Sequence, residues 1–175
     1  TLGERLGIFD FERGAKISGS GFPVYRGLGS RLERALIQFF LDEHQKNGFE
    51  EFTPPYLVTR NTMRGTGQLP KFEEDMYRCD KDDDLFLIPT AEVPLTNLYA
   101  GEVIPESELP KRICAYSACF RREAGSYGKD VRGLNRLHEF SKVESVRIDT
   151  PEHSDASHKE MLEHVEGLLQ KLELP

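Results

Sequence analysis

Between Arg112 and Ile148 the chain sets arginines, glutamates and one phenylalanine at strand spacing. Side chains alternate across a strand. In Ile113–Glu123 that rule puts Arg121 and Glu123 on one face, with Phe120 and Arg122 on the other. In Leu134–Ile148 it groups Arg136, His138, Phe140, Lys142 and Glu144, while Leu137 and Val143 point away. Arginine grips a carboxylate or phosphate through two parallel N–H groups. An aromatic ring beside it offers a stacking surface for a base. A glutamate further along can pair with an ammonium or accept from a hydroxyl. The set therefore suits a nucleotide or an amino acid. A solvated strand face with cross-strand ion pairs uses the same residue types, and alternation alone does not separate the two readings.

These residues need two long strands, joined by a glycine-rich loop, to hold them. The rest of the sequence supplies a frame. Leu28, Leu32, Leu36, Phe39 and Phe40 recur at helical spacing and predict a helix over Leu28–Lys46, ended by Asn47-Gly48. Phe49–Thr53 reads as a short strand stopped by Pro54-Pro55. Thr59–Met63 starts a short helix, and Arg64–Pro70 is a mobile loop by composition. Asp75–Cys79 and Leu85–Ile88 read as a hairpin around the acidic run Asp80–Asp84, which lacks the glycine and distal glutamate of a calcium loop and reads as a solvated turn. Thr90 is placed to cap a helix over Val93–Tyr99, with Glu92 in the first turn. Thr150-Pro151 opens a last helix with the apolar stripe Met161, Leu162, Val165, Leu168, Leu169 and Leu172. His153, His158 and His164 lie on or near it without cysteine companions and read as surface residues. Thr1–Ser18 reads as one or two short helices, and Gly19–Pro23 as a turn without the spacing of a phosphate loop.

The chain has 175 residues, 38% hydrophobic and 30% charged, which suits one soluble domain. A net charge of −7 excludes a protein that coats nucleic acid and confines any RNA contact to a local basic patch. Cys79, Cys114 and Cys119 form no CxxC pair, so neither a disulfide framework nor a cysteine–histidine metal site is expected, and a reducing compartment is. There is no signal peptide and no apolar run of membrane length. A start at Thr1 and a stop at Pro175 directly after a helix suggest an excised piece.

Phe120-Arg121-Arg122-Glu123, the loop Ala124–Asn135 and Arg136-Leu137-His138-Glu139-Phe140 resemble motif 2 of class II aminoacyl-tRNA synthetases, and AGSYGKDVRGLNRLHEFSKVE looks like the seryl-tRNA synthetase form. Asn47-Gly48-Phe49 through Pro55, after the Leu28–Lys46 helix, is similar to motif 1. Thr90-Ala91-Glu92 matches the family's serine-site Thr-Ala-Glu. The three pieces occur in the family's order and span nearly the whole chain. The resemblance implies an α+β fold, an antiparallel sheet flanked by helices, forming a partial catalytic domain over residues 1–175. Motif 1 would span about 28–55, the serine-site loop 89–92 and motif 2 about 112–148.

It also implies roles. Arg121 and Glu123 would be catalytic. Arg121, Arg122, Glu123, Arg136, Leu137 (through its backbone) and Phe140 would hold ATP, with Phe140 stacked on the adenine. Thr90, Ala91, Glu92, Arg121 and Glu144 would hold serine, Glu144 taking its hydroxyl. Lys129 and Arg132 would approach the tRNA acceptor end, and Pro55 would belong to a homodimer interface. The implied reaction is serine activation with ATP and Mg²⁺, followed by transfer to tRNA(Ser), in a cytoplasmic enzyme without membrane attachment. Arg122 stands where the family usually has a small residue. No segment resembles motif 3 or the helical tRNA-binding arm, and the absence of a cysteine–histidine cluster argues against the zinc-dependent form. The alternatives are a paralogue that activates an amino acid for a carrier protein, and a binding module with a vestigial site.

Overall fold

The computed structural model describes residues 2–79, 81–123 and 133–174. In chain order the elements are α1 (Leu2–Arg5), β1 (Phe9–Asp10), α2 (Phe11–Ser18), β2 (Val24–Tyr25), α3 (Leu28–Lys46), β3 (Glu50–Glu51), β4 (Leu57–Thr59), α4 (Arg60–Gly65), β5 (Leu85–Leu87), α5 (Glu92–Thr96), β6 (Lys111–Phe120), β7 (Glu139–Ile148) and α6 (Ser154–Lys171).

The centre is the antiparallel pair β6–β7, in register from Lys111 opposite Ile148 to Phe120 opposite Glu139. β3 lies on the other side of β6 and runs parallel to it, with Glu50 opposite Ile113. The sheet is thus antiparallel at its heart with one short parallel edge strand. Its two faces are covered differently. On one, Ile113 and Ala115 pack on Ala91 and Leu95 of the α5 segment. On the other, Cys114 packs on Leu41 and Phe49, with Ile37, Tyr116 and Val143 against the cluster. A third cluster sits under the small β4–β5 sheet, where Val58, Met63, Leu69, Met76, Phe86, Ile88 and Val93 are buried. Each such large apolar side chain contributes roughly 1.5–3 kcal/mol when removed from water.

α3 has the bounds its periodicity predicts, and the turn after it shows why. Asn47 donates from its side chain to the Glu43 carbonyl at 2.8 Å, Phe49 N–H donates to His44 O at 3.1 Å, and Gly48 takes φ +78°, which favours glycine. α4 is capped by Thr59, whose hydroxyl accepts from Thr62 N–H at 3.3 Å, a contact worth about 1 kcal/mol.

Several expectations change. β6 ends at Phe120 and β7 begins at Glu139, so Arg121, Glu123, Arg136 and His138 stand beyond the ladder. The expected Asp75–Cys79 strand is reduced to a single bridge between Arg78 and Phe86, and the ladder partner of β5 is β4, which the sequence reading did not mark. Asp84 is not a freely solvated turn residue: Arg60 donates to it twice at 3.0 Å and Arg78 pairs with it at 3.0 Å. In the stretch read as a mobile loop, Arg64 and Gly65 complete α4 and Leu69 is buried in the core. α5 begins at Glu92 and passes into a 3₁₀ turn at Asn97–Tyr99, and a 3₁₀ turn at Pro151–His153 precedes α6. On α6 only part of the apolar stripe is covered: Leu168 is buried, while Leu162, Val165 and Leu169 are exposed. His164 is not a plain surface residue. Its Nε2 lies 2.9 Å from Nδ1 of the buried His44, and its ring stacks on Phe49.

Candidate active site

The segment after β5 runs past the end of β6 and delivers Pro89 and Thr90 to the sheet. Phe120 N–H donates to Ile88 O at 2.9 Å, which fixes this crossing. Just beyond it Arg121 Nε donates to Pro89 O at 3.3 Å, and Arg121 N–H donates to His138 O at 2.9 Å. The guanidinium sits 5.1 Å from the centroid of the Phe140 ring, a cation–π contact. The site is thus anchored from three segments: the end of β6, the start of β7 and the loop into α5.

A cavity of about 300 Å³ opens here, lined by Pro89, Thr90, Glu92, Arg121, Glu123, Arg136 and Lys142 on the sheet side and by Gln68, Phe72, Asp75 and Met76 opposite. Arg136 pairs with the Glu123 carboxylate. Glu123 has φ +54°, so its backbone leaves the extended conformation at the point where the strand stops. Arg121 and Glu123 share the cavity because the chain turns over it, not because both belong to a strand face.

Deeper in, Thr90, Lys142 and Glu144 form a closed triangle. The Thr90 hydroxyl donates to Glu144 Oε2 at 2.7 Å and accepts from Lys142 Nζ at 2.6 Å and from Glu92 N–H at 3.1 Å. Lys142 also pairs with Glu144. A hydroxyl offers one donor and two acceptor positions, so all three are used. Thr90 therefore acts as the peg that fixes Lys142 and Glu144, and it accepts from the first amide of α5, although the N-cap position expected for it falls on Ala91. Beneath them Cys119, opposite Phe140 in the ladder, is fully buried, and burial pushes its thiol pKa up. It is an inert packing residue.

The remaining expected residues fall in different places. Ala91 is buried in the α5 contact with the sheet. Arg122 is exposed and does not line the cavity; its N–H donates to Asp75 O at 2.9 Å. Leu137 is buried and lines a separate apolar cavity against α3. Pro55 is exposed between β3 and β4. Lys129 and Arg132 lie outside the described residues. Two features were missed. Lys142 was on the alternating stripe but was not assigned to the site. The Gln68–Met76 wall carried no periodic signal. Among the described residues no group of three or more histidine, cysteine or carboxylate side chains is arranged to hold a metal ion, and no helix is long and apolar enough to cross a membrane.

The family profile described as tRNA synthetase class II core domain (G, H, P, S and T) matches residues 73–175. Similar curated proteins include the serine–tRNA ligase of Leptospira biflexa, 59% identical over 99% of this chain and 42% of its own length. That of Chlorobium phaeovibrioides is 56% identical over 99% of this chain and 40% of its own length. Among solved structures, seryl-tRNA synthetase from Pyrococcus horikoshii complexed with ATP is 42% identical, with a TM-score of 0.94 over 98% of this chain and 38% of that one. The cytoplasmic serine–tRNA ligase from Naegleria fowleri in complex with AMP is 31% identical, with a TM-score of 0.91 over 97% of this chain and 40% of that one. The chain thus spans about two fifths of the length of the relatives it matches. With a matching profile across more than half of its residues, on a sheet and cavity that carry the motif residues, the chain belongs to the class II tRNA synthetase core family.

Proposed function

We propose that this chain is part of the catalytic domain of a serine–tRNA ligase that activates L-serine with ATP and passes it to tRNA(Ser). The observation that carries the reading is the cavity that brings Arg121 together with Thr90 and Lys142, to which Glu144 is hydrogen-bonded behind them. The relatives' names and the ATP and AMP complexes of two structural neighbours support it.

In this reading Arg121 holds the α-phosphate and the serine carboxylate together. A serine carboxylate oxygen attacks the α-phosphorus and pyrophosphate leaves. No protein nucleophile is required, and positioning and charge stabilisation supply the rate. Arg136, paired with Glu123, stands on the triphosphate side, and Phe140 offers its ring to the adenine. Arg122 and the Leu137 backbone are assigned to the nucleotide by resemblance alone. Glu144 accepts from the serine hydroxyl, Glu92 faces the ammonium, and Ala91 supports the end wall from within the core. Mg²⁺ would come bound to the triphosphate and would supply neutralisation of its charge; the carboxylates that line the cavity are Asp75, Glu92 and Glu123. Lys129 and Arg132 contact the tRNA acceptor end.

We assign residues 28–55 to motif 1, 89–92 to the serine-site loop and 112–148 to motif 2. The parent is a cytoplasmic homodimer. Its interface uses the region of Pro55 and α3, where Leu28 and Leu32 are exposed beside an apolar cavity of about 330 Å³. The deciding experiment is amino-acid-dependent pyrophosphate exchange by the full-length parent. Exchange with serine is expected; exchange with alanine or glycine and none with serine would overturn the assignment.

A further inference from the structure

One residue holds the backbone of Arg121 from both sides, through its own carbonyl and its ring, without lining the cavity. His138 lies just before β7. Its carbonyl accepts from Arg121 N–H at 2.9 Å, and its Nδ1 lies 3.0 Å from Arg121 O. A carbonyl only accepts, so Nδ1 carries the proton. The two residues therefore exchange a pair of hydrogen bonds, one through the imidazole, at the point where the β6–β7 ladder has ended. His138 is itself held from behind. Its N–H donates to Gly21 O at 3.0 Å, and its ring stacks on Phe22 with centroids 5.1 Å apart and planes 27° apart. Gly21 has φ +85°, and a Cβ there would lie 2.5 Å from His138 Cδ2, so this turn leaves room for the imidazole only because residue 21 is glycine. The turn that lacks the spacing of a phosphate loop thus has another use.

We propose that His138 is a positioning residue for Arg121, clamped in place by the Gly21-Phe22 turn. Resting on the assignment of Arg121 to the α-phosphate, the clamp fixes where its guanidinium meets the reacting atoms. The ladder cannot do this, since it stops at Phe120. The Pro89 contact is made by the Arg121 side chain and does not involve the Arg121 backbone.

The test is a double-mutant cycle in the full-length parent, with pyrophosphate exchange as the readout. His138→Ala should lower kcat by roughly 10- to 10²-fold, the scale for a catalytic group displaced by about 1 Å, with a smaller change in the KM for serine. His138→Asn keeps a donor near the Nδ1 position and should restore most of the rate. In an Arg121→Ala background His138→Ala should cost nothing further, because the group it positions is gone. Equal losses in both backgrounds, or no recovery with asparagine, would overturn the proposal by making His138 a general packing residue. A parent that exchanges with a different amino acid refutes the serine assignment but leaves the cycle readable with that amino acid. If no amino acid supports exchange, the same four proteins are compared by ATP dissociation constant. Coupling between positions 121 and 138 upholds the clamp, and its absence overturns it.

Discussion

Arg121 carries the largest single consequence in the site. Its guanidinium faces the cavity and the Phe140 ring at once. Arg121→Ala in the parent should lower serine activation by at least ~10²-fold, the scale for one lost transition-state donor; a near-normal exchange rate would remove it from the mechanism. Thr90 makes a subtler prediction. Its hydroxyl is fully committed to Glu144, Lys142 and Glu92 N–H. Thr90→Val keeps the shape but leaves these polar groups without their hub, at a cost of about 1–3 kcal/mol. Both a lower melting temperature and a higher KM for serine are expected, with the KM for ATP changing less. Unchanged serine affinity, measured alongside ATP affinity, would make Thr90 only a helix cap. Alternation in the sequence placed Phe140, Lys142 and Glu144 together, and the ladder keeps them so. It could not show that Lys142 is pinned by Thr90. That contact joins residues far apart in sequence, and spacing within one strand says nothing about it.

At the scale of elements, local patterns were readable and their ends were not. α3 follows its periodicity from Leu28 to the Asn47-Gly48 stop because both the stripe and the cap are encoded nearby. β6 and β7 were read three to five residues too long, because mixed charged residues continue the alternation after the hydrogen-bond ladder has stopped. β4 was missed because it has three residues and follows two prolines, so it carries too little alternation to register. The contact between α3 and α6 was also invisible, since it joins histidines 120 positions apart. It predicts a pH dependence. Burial lowers the His44 pKa from 6.5 to about 4, and His164 is lowered too. The folded state therefore favours neutral imidazoles. Stability is full above the unfolded value of 6.5 and falls as pH drops toward about 4, by up to about 3 kcal/mol for His44. Glu43 adds a second limb. Hydrogen bonds from Lys171 and Lys46 hold its carboxyl at about 2 instead of 4.5, so its contribution is present above 4.5 and is lost as pH falls toward 2. A melting-temperature series should show both limbs. His44→Asn should flatten the one between 6.5 and 4 and spare the other; an unchanged upper limb would show that His44 does not report on this contact.

For the whole molecule, what matters is how much of a site two fifths of a relative's length can build. The described residues give a floor from β6 and β7, an end wall from the Pro89–Glu92 loop and a side wall from Gln68–Met76. Arg121 and Arg136 are the arginines that line it. The resemblance implies a further ATP-binding arginine in motif 3, which none of the 175 residues resembles, and further serine-pocket residues that are not among the 175. One missing donor of this kind costs ~10²–10³ in rate. The isolated chain should therefore bind ATP more weakly than the parent and catalyse serine-dependent exchange at least ~10²-fold more slowly. The two proteins should be compared at matched active-site concentration, with the Arg121→Ala chain as the blank. If the isolated chain keeps a slow serine-dependent exchange that Arg121→Ala abolishes, the floor is a competent reaction site that lacks one wall. A rate equal to the parent's would mean that these 175 residues already hold every group the activation step needs, and the assignment of a further triphosphate-side arginine would fall with it.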